Sequence, residues 1–440
     1  MAEPLKVGLA GLGTVGTSVV HLLERGRAKL LARCGRPIEV VAVSARSRSK
    51  KRDIDLKRLR WVSDPVALAS DPSIDVFVEL MGGAGDPAKR AVETALSSGK
   101  AVVTANKALL ARHGQKLAAL AERNKVALNF EASVGGGIPV IKTLREGLNG
   151  DSFTRIYGIL NGTCNYILSR MEQDRLAFDE CLRDAQRLGY AEADPTFDVE
   201  GYDTAQKLSI LASLAFGTKL DPKAIYVEGI SSIALADLDA AADLGYRIKL
   251  LGVAVKTEGG IEQRVHPTMV PKESAIAQVM GVTNAVTIDA EGLNPITLVG
   301  PGAGGMATAS AVVSDLADIA CGVRVAPFGR PAARMTAIRK APMQHHEGGY
   351  YIRLLARDRP GTAATIARRL AQQKISLESI VQRHGIAAQG VRPSGRTGEP
   401  VPVIMITYAT SEDAVRRALA AVRRDRVISG RPQVIRIEKN

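Results

Sequence analysis

The stretch Gly11-Leu12-Gly13-Thr14-Val15-Gly16 lies between a short apolar run, Lys6 to Ala10, and a helical pattern carrying Val19, Val20, Leu22 and Leu23. This order of strand, G-x-G-x-x-G and helix constrains the chain more than any other feature it has. The first glycine permits a tight turn, the second lets the backbone approach a pyrophosphate, and the third lets helix and strand pack closely. The helix N-terminus then presents N–H groups and a positive dipole end to phosphate. Gly11, Gly13, Thr14, Val15 and Gly16 are therefore candidate dinucleotide contacts.

A second strand, Ile38 to Val43, ends in Ser44-Ala45-Arg46-Ser47-Arg48. An NAD site places Asp or Glu at this strand end, on the ribose 2′-hydroxyl, and an NADP site places a cation there for the 2′-phosphate. Here Arg46, Arg48, Lys50 and Lys51 occupy the position. NADP(H) is expected in preference to NAD(H), with Arg46 the leading contact; from Arg48 onward a plain exposed basic loop explains the residues equally well. Strands at Asp75 to Leu80, Ala101 to Thr104 and Val126 to Phe130 alternate with helices near Pro87–Ser98 and Ala108–Arg123. That alternation predicts a parallel, doubly wound α/β sheet of Rossmann type, with ligands beyond the carboxyl ends of its strands. Thr104-Ala105-Asn106-Lys107 and the segment from Glu131 to Pro139 fall at such ends. Lys107 at a helix start opposes the dipole, which suits an anionic partner; a solvated lysine is the plain alternative.

Residues 139–300 have a different texture. Helices are predicted at Pro139–Leu148, Cys164–Glu172, Phe178–Leu188 and Asp203–Phe216, and strands at Arg155–Leu160, Ile248–Lys256, Glu262–Met269, Ala285–Asp289 and Ile296–Val299. The expectation is an α+β domain with a largely antiparallel sheet. Asp203 and Lys207 are the only charges in the helix Asp203–Phe216 and lie four apart, on one face. A helix this apolar all round is buried. Charges inside it cost several kcal/mol each unless paired, and a desolvated lysine serves as acid or base. The polar loop Gly189-Tyr190-Ala191-Glu192-Ala193-Asp194-Pro195 offers carboxylates to a substrate ammonium, or is simply a turn. A second glycine-rich run, Gly300 to Gly305, opens a helix and suggests that the chain returns to the nucleotide domain.

Taken together, Gly11–Gly16, Thr104–Lys107, Asn161-Gly162-Thr163-Cys164-Asn165-Tyr166, Gly189 to Pro195 running on through Asp198, Asp203 and Lys207, and Gly300–Ser310 resemble the homoserine dehydrogenase family over residues 1 to about 330. The resemblance implies reversible, NADP(H)-dependent hydride transfer between L-homoserine and L-aspartate 4-semialdehyde, a step of threonine, methionine and isoleucine biosynthesis. It implies Lys207 as general acid/base and Lys107 between substrate and nicotinamide. Glu192, Asp203, Asp198, Gly162 and Thr163 would face the substrate; Thr104, Gly189 and Gly304 would line the cofactor. Glu131, Val134, Gly136 and Ile138 would hold a monovalent cation, Na or K.

From Gly349 the pattern reads strand (Tyr350–Ala356), Asp358-Arg359-Pro360-Gly361, helix to Gln372, strand (Ser376–Arg383), a long Gly- and Pro-rich loop at about 385–400, strand (Pro402–Tyr408), helix (Ser411–Val422) and strand (Gln433–Ile437). This βαββαβ plan is ferredoxin-like, and the Asp-Arg-Pro-Gly turn resembles ACT domains, which implies an amino-acid effector, with L-threonine expected. A module that only dimerises fits the same pattern. The expected domains are 1–138 with 301–330 (nucleotide), 139–300 (substrate, catalysis and dimerisation), 331–348 (linker) and 349–440 (ACT). The family and the module imply a homodimer or homotetramer.

Composition narrows the rest. The net charge is +14, which raises nucleic acid as a partner, but aromatics are scarce and no helix-turn-helix or RNP-type motif is present, so a solvated basic surface is the simpler reading. No apolar run reaches membrane-spanning length, no signal peptide precedes the first strand, and no kinase-like segment precedes the dehydrogenase. Cys34, Cys164, Cys181 and Cys321 lie far apart without a C-x-x-C pair, so a cytoplasmic protein without disulfides or zinc is expected. Two rival readings remain. A cysteine-dependent semialdehyde dehydrogenase would use Cys164 as nucleophile, and a non-catalytic NADP-binding regulator would leave the Asp203/Lys207 pair without a purpose.

Overall fold

The structure, a computed structural model, describes residues 3–341, 343, 346–382 and 400–438. The expected loop at about 385–400 lies outside the described residues.

The first sheet has six parallel strands in the order Arg60–Trp61, Ile38–Ser44, Leu5–Ala10, Val76–Glu79, Ala101–Thr104, Leu128–Asn129. Its inner strands are apolar on both faces because helices cover both. The order reverses between the first and fourth strands in sequence, which places a crevice at the Gly11–Gly16 loop. The sequence pattern missed the helices Arg27–Cys34 and Leu235–Asp243, and also two short elements, the two-residue edge strand Arg60–Trp61 and the helix Pro65–Ser70. The last two are too brief for a periodicity to register.

The helix Gly305–Ala320 returns to this domain. Ala309, Val312 and Leu316 join a core with Leu5, Val7, Leu9, Val19 and Leu23. It lies so close to the helix Thr14–Arg25 that a Cβ on Gly305 would come within 2.8 Å of the Thr14 methyl.

The second sheet is larger than the sequence suggested. The substrate-domain strands Ile296–Pro301, Thr283–Ala290, Phe153–Ile159, Tyr246–Thr257 and Gly260–Pro271 run antiparallel to their neighbours. The helix Tyr202–Phe216 lies buried against them, and Gly252 permits the approach: a Cβ there would sit 3.0 Å from the Thr204 methyl and 3.2 Å from Leu160. Beneath the helix Gly162–Asp174, Lys249 is buried with its ammonium on Asn165 Oδ1 and the Val279 carbonyl.

The tail forms the expected βαββαβ unit, with strands Glu347–Arg357, Leu377–Gln382, Pro400–Thr407 and Ile428–Ile437 and helices Thr362–Gln372 and Glu412–Arg424. It is not suspended from a free linker. Its last strand pairs parallel with Gly260–Pro271 through Thr268 opposite Arg436 and Met269 opposite Ile437, so the two sheets become one of eleven strands. The connecting segment is bonded along its path, Thr336 to Thr218 and Lys340 to Ile261. Such pairing runs through backbone groups, which leave little mark on a residue pattern. Buried charges fix the seam. Asp237 accepts from Tyr351 Oη at 2.9 Å and from the Arg353 guanidinium at 2.7 and 2.9 Å, and Arg436 joins Glu228 to Glu412.

Two consequences follow from these buried charges. Replacing Asp237→Ala leaves the Arg353 cation unpaired, and unfolding in urea should show a loss of about 3–5 kcal/mol. Burial pushes the Lys249 ammonium down to about 7, so between there and its unfolded value the native state holds fewer protons. Stability on its account must rise with pH over that window, and urea midpoints should show the rise in the wild type and lack it in Lys249→Met.

Candidate active site

Each glycine of the first loop has its own reason. Gly11 has φ +106, and a Cβ on it would lie 2.5 Å from the Leu80 carbonyl oxygen. A Cβ on Gly16 would lie 2.0 Å from the Gly11 carbonyl oxygen. A Cβ on Gly13 would meet no protein atom, so only a ligand needs this glycine bare. The helices Thr14–Arg25 and Gly305–Ala320 both begin without a side-chain cap, at Gly13 and Gly304. Two uncapped N-termini thus converge on one crevice and suit a bound pyrophosphate. Gly304 and Gly189, at φ +121 and +77, also border open space.

Arg46, Arg48, Lys50 and Lys51 are exposed or nearly so beside this crevice. The sequence reading passed over Arg52, whose guanidinium donates to the Leu12 carbonyl at 3.0 Å and the Ser47 carbonyl at 2.8 Å and lies over Trp61. It ties the glycine loop to the basic loop.

The second half of the site is a buried charge cluster. Lys207 Nζ donates to Asp203 Oδ2 at 2.8 Å and to the Leu160 carbonyl at 2.7 Å. Lys107 Nζ, from the nucleotide domain, lies 3.0 Å from Asp203 Oδ1. Asn161 Nδ2 donates to Asp203 Oδ2 at 2.9 Å and to Asp198 Oδ1 at 2.8 Å, while its own oxygen caps the helix Gly162–Asp174. Burial alone would raise the Asp203 carboxyl, but Lys207 and Lys107 outweigh it and hold the group well below the usual carboxylate range. Asp198 moves the other way, raised by burial and by the charge of Asp203. The Lys107 side chain is 34% exposed against 11% for Lys207, so the cluster opens toward the nucleotide crevice.

The chain is similar to known proteins. A family model described as homoserine dehydrogenase matches residues 139–317, and one described as homoserine dehydrogenase, NAD binding domain, matches residues 11–131. Homoserine dehydrogenase of Neisseria gonorrhoeae is 44% identical over 426 residues, covering 96% of this chain and 95% of the relative. That of Pseudomonas aeruginosa is 43% identical over 443 residues, covering 99% of each. The chain belongs to the homoserine dehydrogenase family. The crystal structure of a homoserine dehydrogenase from Thiobacillus denitrificans superposes with a TM-score of 0.90 at 40% identity, covering 99% of this chain and 98% of that one. A hyperthermophilic archaeal homoserine dehydrogenase solved in complex with NADPH gives 0.61 at 27% identity, covering 73% of this chain and 98% of that one. Homoserine dehydrogenase is an oxidoreductase acting on a CH–OH donor with NAD(P), and its substrates are homoserine and aspartate semialdehyde.

The remaining expected residues of the homoserine dehydrogenase site divide. Thr163 Oγ1 donates to the Tyr190 carbonyl at 2.7 Å, which ties the loop before Pro195 to the site helix. Gly162 is forced by the Val282 carbonyl oxygen, 2.7 Å from where its Cβ would stand. Glu192 stays exposed at the rim, its carbonyl accepting from Gln186, and is not part of the Asp203 cluster. The Glu131 carboxylate accepts from the N–H groups of Ile141 and Lys142, each at 2.8 Å. Both Glu131 oxygens are thus hydrogen-bonded, as is the Ile138 carbonyl, which accepts from Val140, and each keeps lone-pair capacity for a further partner. Cys164 is buried with its thiol pushed well up by burial, and its Sγ donates to the Asp198 carbonyl at 3.2 Å. A cysteine nucleophile is not favoured. Asn161 and Arg52 were missed; Asn161 stood in a quoted motif, but nothing local shows that its amide spans two carboxylates.

The glycine geometry separates ligand from fold. Gly13→Ala should leave the melting temperature nearly unchanged and weaken NAD(P)H binding at least tenfold by fluorescence titration, because the new methyl occupies only ligand space. Gly16→Ala should lower both, because its methyl collides with backbone.

Proposed function

We propose that this homoserine dehydrogenase works with NADP(H) in preference to NAD(H) and that Lys207 moves the proton at the substrate oxygen. The donor count on Lys207 carries the reading. An ammonium has three N–H donors; Asp203 and the Leu160 carbonyl take two, and the third is left for a substrate oxygen. A bound nicotinamide supplies hydride to the aldehyde carbon, or accepts it from the alcohol.

In the reductive direction, Lys207 gives its proton to the oxygen as negative charge develops there. Lys107 adds a second positive charge beside that oxygen. Asp203 orients both lysines. Asp198 and Glu192 receive the substrate ammonium, with Gly162 and Thr163 on that side. In the oxidative direction, neutral Lys207 takes the hydroxyl proton. Gly11, Gly13, Thr14, Val15, Gly16, Thr104, Gly189 and Gly304 would hold the dinucleotide, and Arg46 its 2′-phosphate. The absence of an acidic residue at the end of the strand Ile38–Ser44 supports the coenzyme preference. A monovalent cation, Na or K, would sit on Glu131 and the backbone carbonyls of Val134, Gly136 and Ile138.

We assign residues 1–138 with 301–330 to nucleotide binding, 139–300 to substrate binding and dimerisation, 331–348 to the connection and 349–440 to an ACT regulatory domain with L-threonine as effector. The tail's βαββαβ order and the turn at Gly361, φ +88, support the last of these. A homodimer or homotetramer in the cytoplasm completes the assignment; the four free cysteines suit a reducing compartment.

The test is oxidation of L-homoserine followed at 340 nm. Wild type should show kcat/KM at least tenfold higher with NADP than NAD, and Arg46→Ala should narrow that ratio. Lys207→Ala should lose several orders of magnitude in kcat. Equal use of both coenzymes would overturn the preference, and a Lys207→Ala enzyme of near-normal kcat would overturn the proton assignment.

A further inference from the structure

Glu79 is the last residue of the strand Val76–Glu79 and is fully buried, after three apolar neighbours, Val76, Phe77 and Val78. An apolar side chain would serve the sheet better, because a buried carboxylate is costly unless every lone pair finds a donor. Glu79 finds three. Its Oε1 accepts the N–H groups of Met81 at 2.7 Å and Gly82 at 3.1 Å, and its Oε2 accepts the Thr104 hydroxyl at 2.7 Å. Glu79 and Thr104 stand opposite each other in the register, each ending its strand.

The network continues toward the reacting groups. Thr104 Oγ1 accepts the N–H of Asn106 at 3.0 Å. Asn106 Nδ2 donates back to the Gly83 carbonyl at 2.7 Å, and its oxygen accepts the N–H of Leu109 at 3.0 Å, capping the helix that begins at Lys107. One carboxylate therefore fixes two loops, Leu80–Gly83 and Thr104–Asn106, and through the cap it fixes the backbone from which Lys107 reaches Asp203 at 3.0 Å. Both loops lie at the carboxyl ends of the strands, where this fold binds its ligands.

We infer that Glu79 is a positioning residue for Lys107, acting through Thr104 and Asn106, and that the Thr104 hydroxyl serves this relay. The inference rests on the proposed role of Lys107. It predicts lost turnover without lost binding, because the site's shape survives while the ammonium is misplaced, and a misplacement of about 1 Å costs on the order of 10²-fold in rate.

Glu79→Gln, Thr104→Val, Thr104→Ser and Lys107→Ala would be compared in homoserine oxidation at saturating NADP, with melting temperatures measured alongside. Glu79→Gln and Thr104→Val should each lower kcat on the order of 10²-fold with the KM for homoserine nearly unchanged. The double variant should lose no more than the worse single one, as for two links of one chain. Thr104→Ser keeps the hydroxyl and should recover kcat to within a few-fold. Should Glu79→Gln fail to fold, the Val and Ser variants at Thr104 still decide. A raised KM at unchanged kcat, or a loss that serine does not rescue, would overturn the relay. Normal kcat in Lys107→Ala would overturn the role of Lys107 itself, while loss there with a normal Glu79→Gln would overturn the relay alone.

Discussion

A single carboxylate shared by two lysines holds the two halves of this enzyme in catalytic relation. Asp203 and Lys207 come from one buried helix of the substrate domain, and Lys107 comes from the start of a helix of the nucleotide domain. Lys207 and Asp203 are both buried and pair with each other, and the partly exposed Lys107 adds a second cation to the carboxylate. The same contact that satisfies the buried charges therefore brings Lys207 and Lys107 together on one carboxylate. Asn161 extends the arrangement by bonding both Asp203 and Asp198, so the substrate-side carboxylates are set by the same network.

The nucleotide side is governed by close backbone approach. Gly11 and Gly16 are bare because the protein itself would collide with a side chain; Gly13 is bare toward empty space. Helix Gly305–Ala320 adds a second uncapped N-terminus from a segment nearly three hundred residues distant in sequence. Two half-positive helix ends at one crevice make a stronger anion site than either alone.

The tail is built into the body of the enzyme. Its last strand continues the substrate-domain sheet, and the helix carrying Asp203 and Lys207 packs on that same sheet. Asp237 with Arg353 and Tyr351, and Arg436 with two glutamates, lock the register of the seam. The tail and the helix carrying Asp203 and Lys207 thus rest on one continuous sheet.

Local pattern alone determined the doubly wound nucleotide fold, the glycine loop, the buried Asp203/Lys207 helix and the βαββαβ tail, because strand alternation, helical periodicity and glycine spacing are properties of neighbours in sequence. The basic loop after the second strand was legible for the same reason. Tertiary structure decided what distant residues do to one another. It joined Lys107 to Asp203, committed the Glu131 carboxylate to a helix N-terminus, left Glu192 at the rim, and turned Thr104 toward Glu79. It also merged two sheets into one. The Lys107 and Thr104 contacts join residues far apart in the chain, and a side chain's type records that it needs a partner without recording which partner the fold will supply.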